Sequence, residues 1–285
     1  MIRQDWINKN IAAFETALRC RFDSEATRKN YLTSASRFIE WAAYKKGDQI
    51  DLIKQYLAWG LKSKSGKTHN LHRDGICSFF KLVKDIRITV AMVPRKKEGK
   101  TLPKIIDQET ITRAILKTNN LQHRLIVSIL YGCGLRLSEA QHLKVSSIIK
   151  NRDVLKLVNT KGNRGRIVPI PGSMKDALYE HVVEKSHDDY VFENLFKGGI
   201  LTKRTIGKIV ERAFERVGSK CSPHQLRHSF ATDLTSNGTN LRLTQSWLGH
   251  SSVRTTEIYA HLSDELLAEG VDLLECNKTY KKGNM

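Results

Sequence analysis

Paired cysteines are missing from this chain. The five that occur, Cys20, Cys77, Cys133, Cys221 and Cys276, are an odd number at wide spacings with no CxxC pair, which argues against a disulfide framework or a zinc ribbon and fits a reducing cytosol. Long apolar runs are missing too. Stretches such as Leu125 to Tyr131 stop far short of the roughly 20 residues that cross a bilayer, and the N-terminal MIRQDWINKN has no signal-peptide core. The expectation is a cytoplasmic protein with no membrane span. Acidic residues are also scarce: 29 Asp plus Glu face 48 Lys plus Arg, a formal charge of +19. An excess of that size points to a polyanionic partner. Charge alone would also fit a ribosomal or membrane-surface protein. Residues 1–99 hold 20 of the basic and 10 of the acidic residues and the remainder 28 and 19, so the excess is not a detachable tail.

What is present supports a core. At 285 residues and 40% apolar, the chain has the size of one large or two ordinary domains. Trp6, Ile7, Ile11, Phe14 and Leu18 recur at helical spacing, as do Tyr31, Leu32, Ala35, Phe38 and Ile39, with Ser24 and Thr27 marking the start of the second run. Segments near 50–62 and 67–84 complete a unit of four helices. The aromatic residues of this part fall on apolar stripes and are expected in its core. VPRKKEGKTLPK at 93–104 has two prolines, a glycine and five basic residues, the composition of an exposed basic linker and domain boundary; a nuclear-import signal is the rival reading of PRKK. Beyond it, helices are expected near 108–118, 121–131, 173–183, 203–217, 224–236 and 241–248, with a β-hairpin over 154–170 whose tip is basic and glycine-containing. The expected fold class is mainly α with a small β-sheet.

Several residue types suit phosphodiester chemistry. Guanidinium groups stay charged and grip two oxygens at once; Arg136 lies at a turn-to-helix junction and Arg227 in PHQLRHSF. His224, three residues before Arg227, shares its helix face, whereas His228 projects about 100° away. Downstream, LGHSSVRTTEIYAH places His250 ahead of Tyr259, whose hydroxyl is a possible covalent nucleophile for phosphate.

The stretches GCGLRLSEAQHL, NTKGNRGRIVPI, SPHQLRHSFATDL and LTQSWLGHSSVRTTEIYAHL resemble, in order and separation, the tyrosine recombinases (phage integrases), most closely the Xer-like branch. The resemblance covers about 100–270; SEATRKNYLTSASRFIEWA is similar to the family's DNA-clamping domain. It implies a two-domain, C-shaped DNA clamp, with a four-helix core-binding domain at 1–92, the linker at 93–104, and an α+β catalytic domain with a C-terminal helix at 105–285. It implies that Arg136 and Arg227 hold the scissile phosphate with a further hydrogen bond from His250. His224 would act as acid/base on Tyr259, Lys161 would protonate the departing 5′-oxygen, and Glu139 would orient Arg136. Lys156, Arg164 and Arg166 compete with Lys161 in the same hairpin. No metal or nucleotide cofactor is implied. Ala140 and Ser147 depart from the family's commoner leucine and aspartate.

Lys62, Lys64, Lys67, Arg73, Arg95, Lys96, Lys97 and Arg164 are expected to contact DNA phosphates, with a solvated basic face as the plain alternative. His69, His72 and Cys77 match no metal pattern. The expected partner is a double-stranded recombination site, bound by a homo-tetramer or with a related recombinase. Residues 263–275 form an amphipathic pattern suited to docking in a neighbouring subunit, which favours recombination over a monomeric type IB topoisomerase. A non-enzymatic DNA binder would need no nucleophile. With only a short stretch before residue 20, no arm-site-binding domain is expected, which leans toward a Xer-like resolver or simple mobile-element recombinase.

Overall fold

The computed structural model describes residues 2–62, 64–98, 104–157, 165–194, 198–237 and 239–249. Lys161, Arg164, His250, Tyr259 and the helix expected at 263–275 lie outside the described residues. The chain divides into two compact units, Met1–Thr101 and Leu102–Met285.

Among its described residues the first unit has four helices, α1 (Ile2–Arg21), α2 (Glu25–Ala42), α3 (Gln49–Gln55) and α4 (Gly66–Val83). Each later helix starts where a short polar side chain satisfies the orphan amides of its first turn. Ser24 accepts from the Thr27 N–H, Asp48 from the Ile50 N–H at 2.8 Å, and Ser65 from the Thr68 N–H. Helix α3 widens at its end into a π-helical turn, Tyr56–Gly60. Phe14, Phe38, Ile39, Ile76 and Phe79 fill the core between α1, α2 and α4. Gly75 permits the close α2–α4 approach, because a Cβ there would sit 2.9 Å from that of Ser34. Trp6, Tyr44 and Trp59 depart from the expected aromatic core and are exposed, Trp59 to 81%.

Two expectations for this unit need correction. Residues 93–98 do not run free as a linker: Val93 is buried, and the Asn70 amide pairs with the backbone N–H of Lys96 at 2.9 Å and its carbonyl at 3.0 Å. Arg73 is not a phosphate contact. It is buried, its Nε donates to the Val93 carbonyl at 2.7 Å, and its Nη1 meets Asp74 at 3.0 Å. An arginine in a row of lysines reads as surface charge, but here its donors satisfy the chain folding back over α4.

The second unit is built around α6 (Leu121–Gly132), which follows α5 (Gln108–Leu116). LQHRLIVSILYG is apolar on nearly every side, the pattern of a helix packed all round, and α6 touches α5, the short α7 (Leu137–Gln141), α8 (Gly172–His181), α9 (Lys203–Glu215) and α10 (Pro223–Ser236). The sheet has three antiparallel strands in the order β1 (Ile148–Ile149), β2 (Val154–Leu157), β3 (Arg166–Pro169), one more than the expected hairpin. Register pairs Ile148 with Leu155 and Leu155 with Val168. Helix α11 (Leu241–Leu248) ends at Gly249, whose φ of 59° is the left-handed conformation that glycine adopts without strain.

Candidate active site

Two turns place the site's arginines. After α6 the chain reverses at Gly134, φ +57°, and Arg136 becomes the N-cap of α7. The Glu139 carboxylate reaches back to the Arg136 backbone N–H at 2.6 Å, and the Arg136 Nη1 donates to the same carboxylate at 2.9 Å. Arg227 comes from α10, on which Ser222 and Gln225 form a capping box ahead of it. It is buried, and its two terminal nitrogens donate to the carbonyls of Gly134 and Leu248. The second terminal nitrogen of Arg136 donates to the carbonyl of Gly249 at 2.8 Å. The two arginines therefore converge on adjacent carbonyls at the C-terminus of α11, where the helix dipole is negative.

A third guanidinium stands beside them. Arg166, on β3, donates to both oxygens of Glu139 at 2.5 and 2.7 Å and through Nε to the Trp247 carbonyl at 2.5 Å. Burial alone would raise the pKa of Glu139; the hydrogen bonds and charge of Arg166, followed by those of Arg136, overturn this and hold it at about 2. For Arg227, burial comes first and the like charges of Arg166 and Arg136 follow, pushing its pKa down to about 9 against the opposing Glu139. Two guanidiniums thus grip one carboxylate while the third, Arg227, stands near enough to feel all three charges, leaving the site with an excess of positive charge.

His224 is at the exposed start of α10. Its Nε2 lies 3.3 Å from that of His228, with ring centroids 4.4 Å apart, so the residue expected to point elsewhere touches the candidate acid/base. Of the proposed catalytic set, Arg136, Arg227 and His224 are described; Lys161, His250 and Tyr259 are not. Lys156 is exposed on β2. Arg166 is the residue that sequence reasoning missed in this role. Its signal was strand alternation, since Arg166 and Val168 share the inward face of β3.

In the first unit, Lys62, Lys64, Lys67, Lys96 and Lys97 are exposed, and Arg95 is engaged with Asp74 at 2.6 Å. The Nδ1 atoms of His69 and His72 are buried without a partner, and burial lowers the pKa of both rings. Among the described residues there is no group of three or more His, Cys, Asp or Glu side chains able to hold a metal ion, and no helix long and apolar enough to cross a membrane.

The phage integrase family profile matches residues 97–265. Tyrosine recombinase XerA of Pyrococcus furiosus is 30% identical over 267 residues, 91% of each chain. XerA of Pyrococcus horikoshii is 27% identical over 285 residues, 99% of each. A crystal structure of XerA recombinase is 28% identical with a TM-score of 0.50, covering 92% of this chain and 96% of that one. XerH site-specific recombinase bound to palindromic difH substrate, in a post-cleavage complex, has a TM-score of 0.69 at 23% identity over 87% of this chain and 80% of that one, a likeness of fold. Sequence blocks, fold and converging arginines agree with these matches: the chain belongs to the phage integrase family of tyrosine recombinases.

Proposed function

We propose that Arg136 and Arg227 hold the scissile phosphate of a double-stranded recombination site while the Tyr259 hydroxyl attacks phosphorus, in the site-specific strand exchange that defines the family. The Tyr259 oxygen forms the new bond to phosphorus as the bond to the 5′-oxygen breaks. His224 takes the phenolic proton, Lys161 supplies one to the departing 5′-hydroxyl, and His250 hydrogen-bonds the phosphate. The 3′-phosphotyrosyl link conserves the bond energy, so a 5′-hydroxyl from a second strand can reseal it without an external energy source. The observation that carries this reading is the meeting of Arg136 and Arg227, distant in sequence, on the adjacent carbonyls of Leu248 and Gly249. Their remaining N–H groups are then oriented before substrate arrives, as stabilisation of a developing phosphorane charge requires.

Two pairs of such exchanges pass through a four-way junction, in a tetramer linked by the helix expected at 263–275. The same chemistry serves resolution of chromosome or plasmid dimers and integration or excision of an element, and it belongs in the cytoplasm with the DNA. The type IB topoisomerase alternative is not favoured, since the relatives matched along nearly the whole chain are recombinases.

Incubation with a duplex nicked close to the exchange point should trap a covalent adduct. Proteolysis and mass spectrometry should place the nucleotide on Tyr259; attachment elsewhere, or no adduct with a bound site, overturns the assignment. Lys62, Lys64, Lys67, Lys96 and Lys97 are assigned to phosphates of the flanking duplex. Changing any one to alanine should lower the slope of log affinity against log salt by about one, measured by fluorescence anisotropy. An unchanged slope would return that lysine to the solvated surface.

A further inference from the structure

Arg166 is 5% exposed, so its charge is almost wholly shut off from solvent. Such a group is costly to keep unless it is paired, and its hydrogen bonds to Glu139 and Trp247 lead to the residues assigned to the phosphate. Its Nη1 and Nη2 each take one oxygen of Glu139, a bidentate grip that fixes the plane of the carboxylate. Each of those oxygens also receives a donor from Arg136, Nη1 on one and the backbone N–H on the other. Its Nε holds the Trp247 carbonyl, two residues before the carbonyl that anchors Arg136. A Cβ on Gly249 would lie 3.0 Å from the Arg166 Cδ, so the end of α11 rests directly on this side chain.

The geometry points to Arg166 as a positioning residue for strand cleavage, acting through Glu139 on Arg136 and through Trp247 on the segment that leads to residue 250. It is not an alternative to Lys161 as leaving-group acid, because each of its three nitrogens donates to a protein acceptor and its charge is buried. Held by Arg166, the carboxylate steadies Arg136 from one side and leaves its other donors for phosphate. Without Arg166, Glu139 has one guanidinium within reach and is free to turn and compete with the phosphate for it. This inference rests on the reading of Arg136 as a phosphate ligand.

The test compares the full-length wild type with Arg166→Met, Arg166→Lys, Glu139→Gln and the Arg166→Met/Glu139→Gln double variant. The rate of covalent adduct formation is measured in a single turnover on saturating nicked duplex, well below each melting temperature, and DNA affinity is measured separately. Arg166→Met should slow adduct formation about 100-fold, the scale of a misplaced catalytic group, with affinity unchanged. Arg166→Lys, which restores charge but not the fork, should fall between. The double variant should be no slower than the slower single one, because the two residues act in series. A structural role alone predicts losses that multiply across the pair and follow the unfolded fraction; that result, or a loss confined to affinity, overturns the inference. Should Arg166→Met fail to fold, Arg166→Lys set against Glu139→Gln decides by the same criteria. Arg136→Ala is the control. If it cleaves normally, the phosphate-ligand reading falls; if it is inactive while the Arg166 variants cleave at the wild-type rate, only the role of Arg166 falls.

Discussion

Arg227→Ala is expected to lower the rate of covalent adduct formation by about 10³-fold, or about 4 kcal/mol of transition-state stabilisation, while leaving duplex binding largely intact. A phosphodiester carries one negative charge in the ground state and gains another as the attacking oxygen arrives, so a buried cation facing it contributes most at the transition state. Arg227 is buried beside two further guanidiniums, and its pKa is pushed down to about 9 by burial and then by Arg166 and Arg136. It is therefore short of negative charge before DNA arrives. Arg227→Lys should recover little, because an ammonium cannot span the Gly134 and Leu248 carbonyls while still facing an oxygen. Single-turnover trapping on nicked duplex reads both variants, and a lysine variant within about tenfold of wild type would mean that charge alone suffices and that anchoring on two carbonyls is dispensable.

Gly134→Ala is expected to cost about 3 kcal/mol of stability in the second unit, lowering its melting temperature by roughly 10 °C. Two penalties add. The residue holds φ at +57°, which costs an L side chain about 1–2 kcal/mol. Its new methyl would lie 2.3 Å from Cδ1 of Phe230, so the ring on α10 must shift, at about 1–3 kcal/mol for an overpacked core. Phe230 is three residues beyond Arg227 on that helix, and the Gly134 carbonyl itself holds Arg227, so cleavage should fall in the folded fraction as well. Adding Phe230→Leu should relieve the contact and leave the backbone strain, recovering part of the lost stability. Thermal denaturation checks this; a melting temperature within a degree or two of wild type would show that the turn relaxes and that glycine is not required there.

The helices of this fold were legible because their apolar periodicity is long and their caps are explicit. Ser24 before the second apolar run and the all-round apolar α6 are examples. Strand β1 was not, since two residues, Ile148 and Ile149, have no measurable alternation. The arginines separate for a related reason. Arg136 and Arg227 are each the lone arginine of their block, whereas Arg73, and Arg166 within NTKGNRGRIVPI, sit among other basic residues and look like surface charge. Burial of a cation is decided by what folds over it: the carbonyls of Thr89 and Val93 for Arg73, and Glu139 with Trp247 for Arg166. Those partners lie 16 to 81 positions away, beyond any local pattern. Only the alternation of β3 hinted at the second case.

The consecutive carbonyls of Trp247, Leu248 and Gly249 each receive one arginine, and this makes the length of α11 a fixed quantity. One inserted residue would rotate everything after it by about 100° and swing the whole row away from its partners. Homologues should therefore tolerate insertions in the turn between α9 and α10 more readily than inside α11, where even a single added alanine would uncouple the three arginines from the chain that follows.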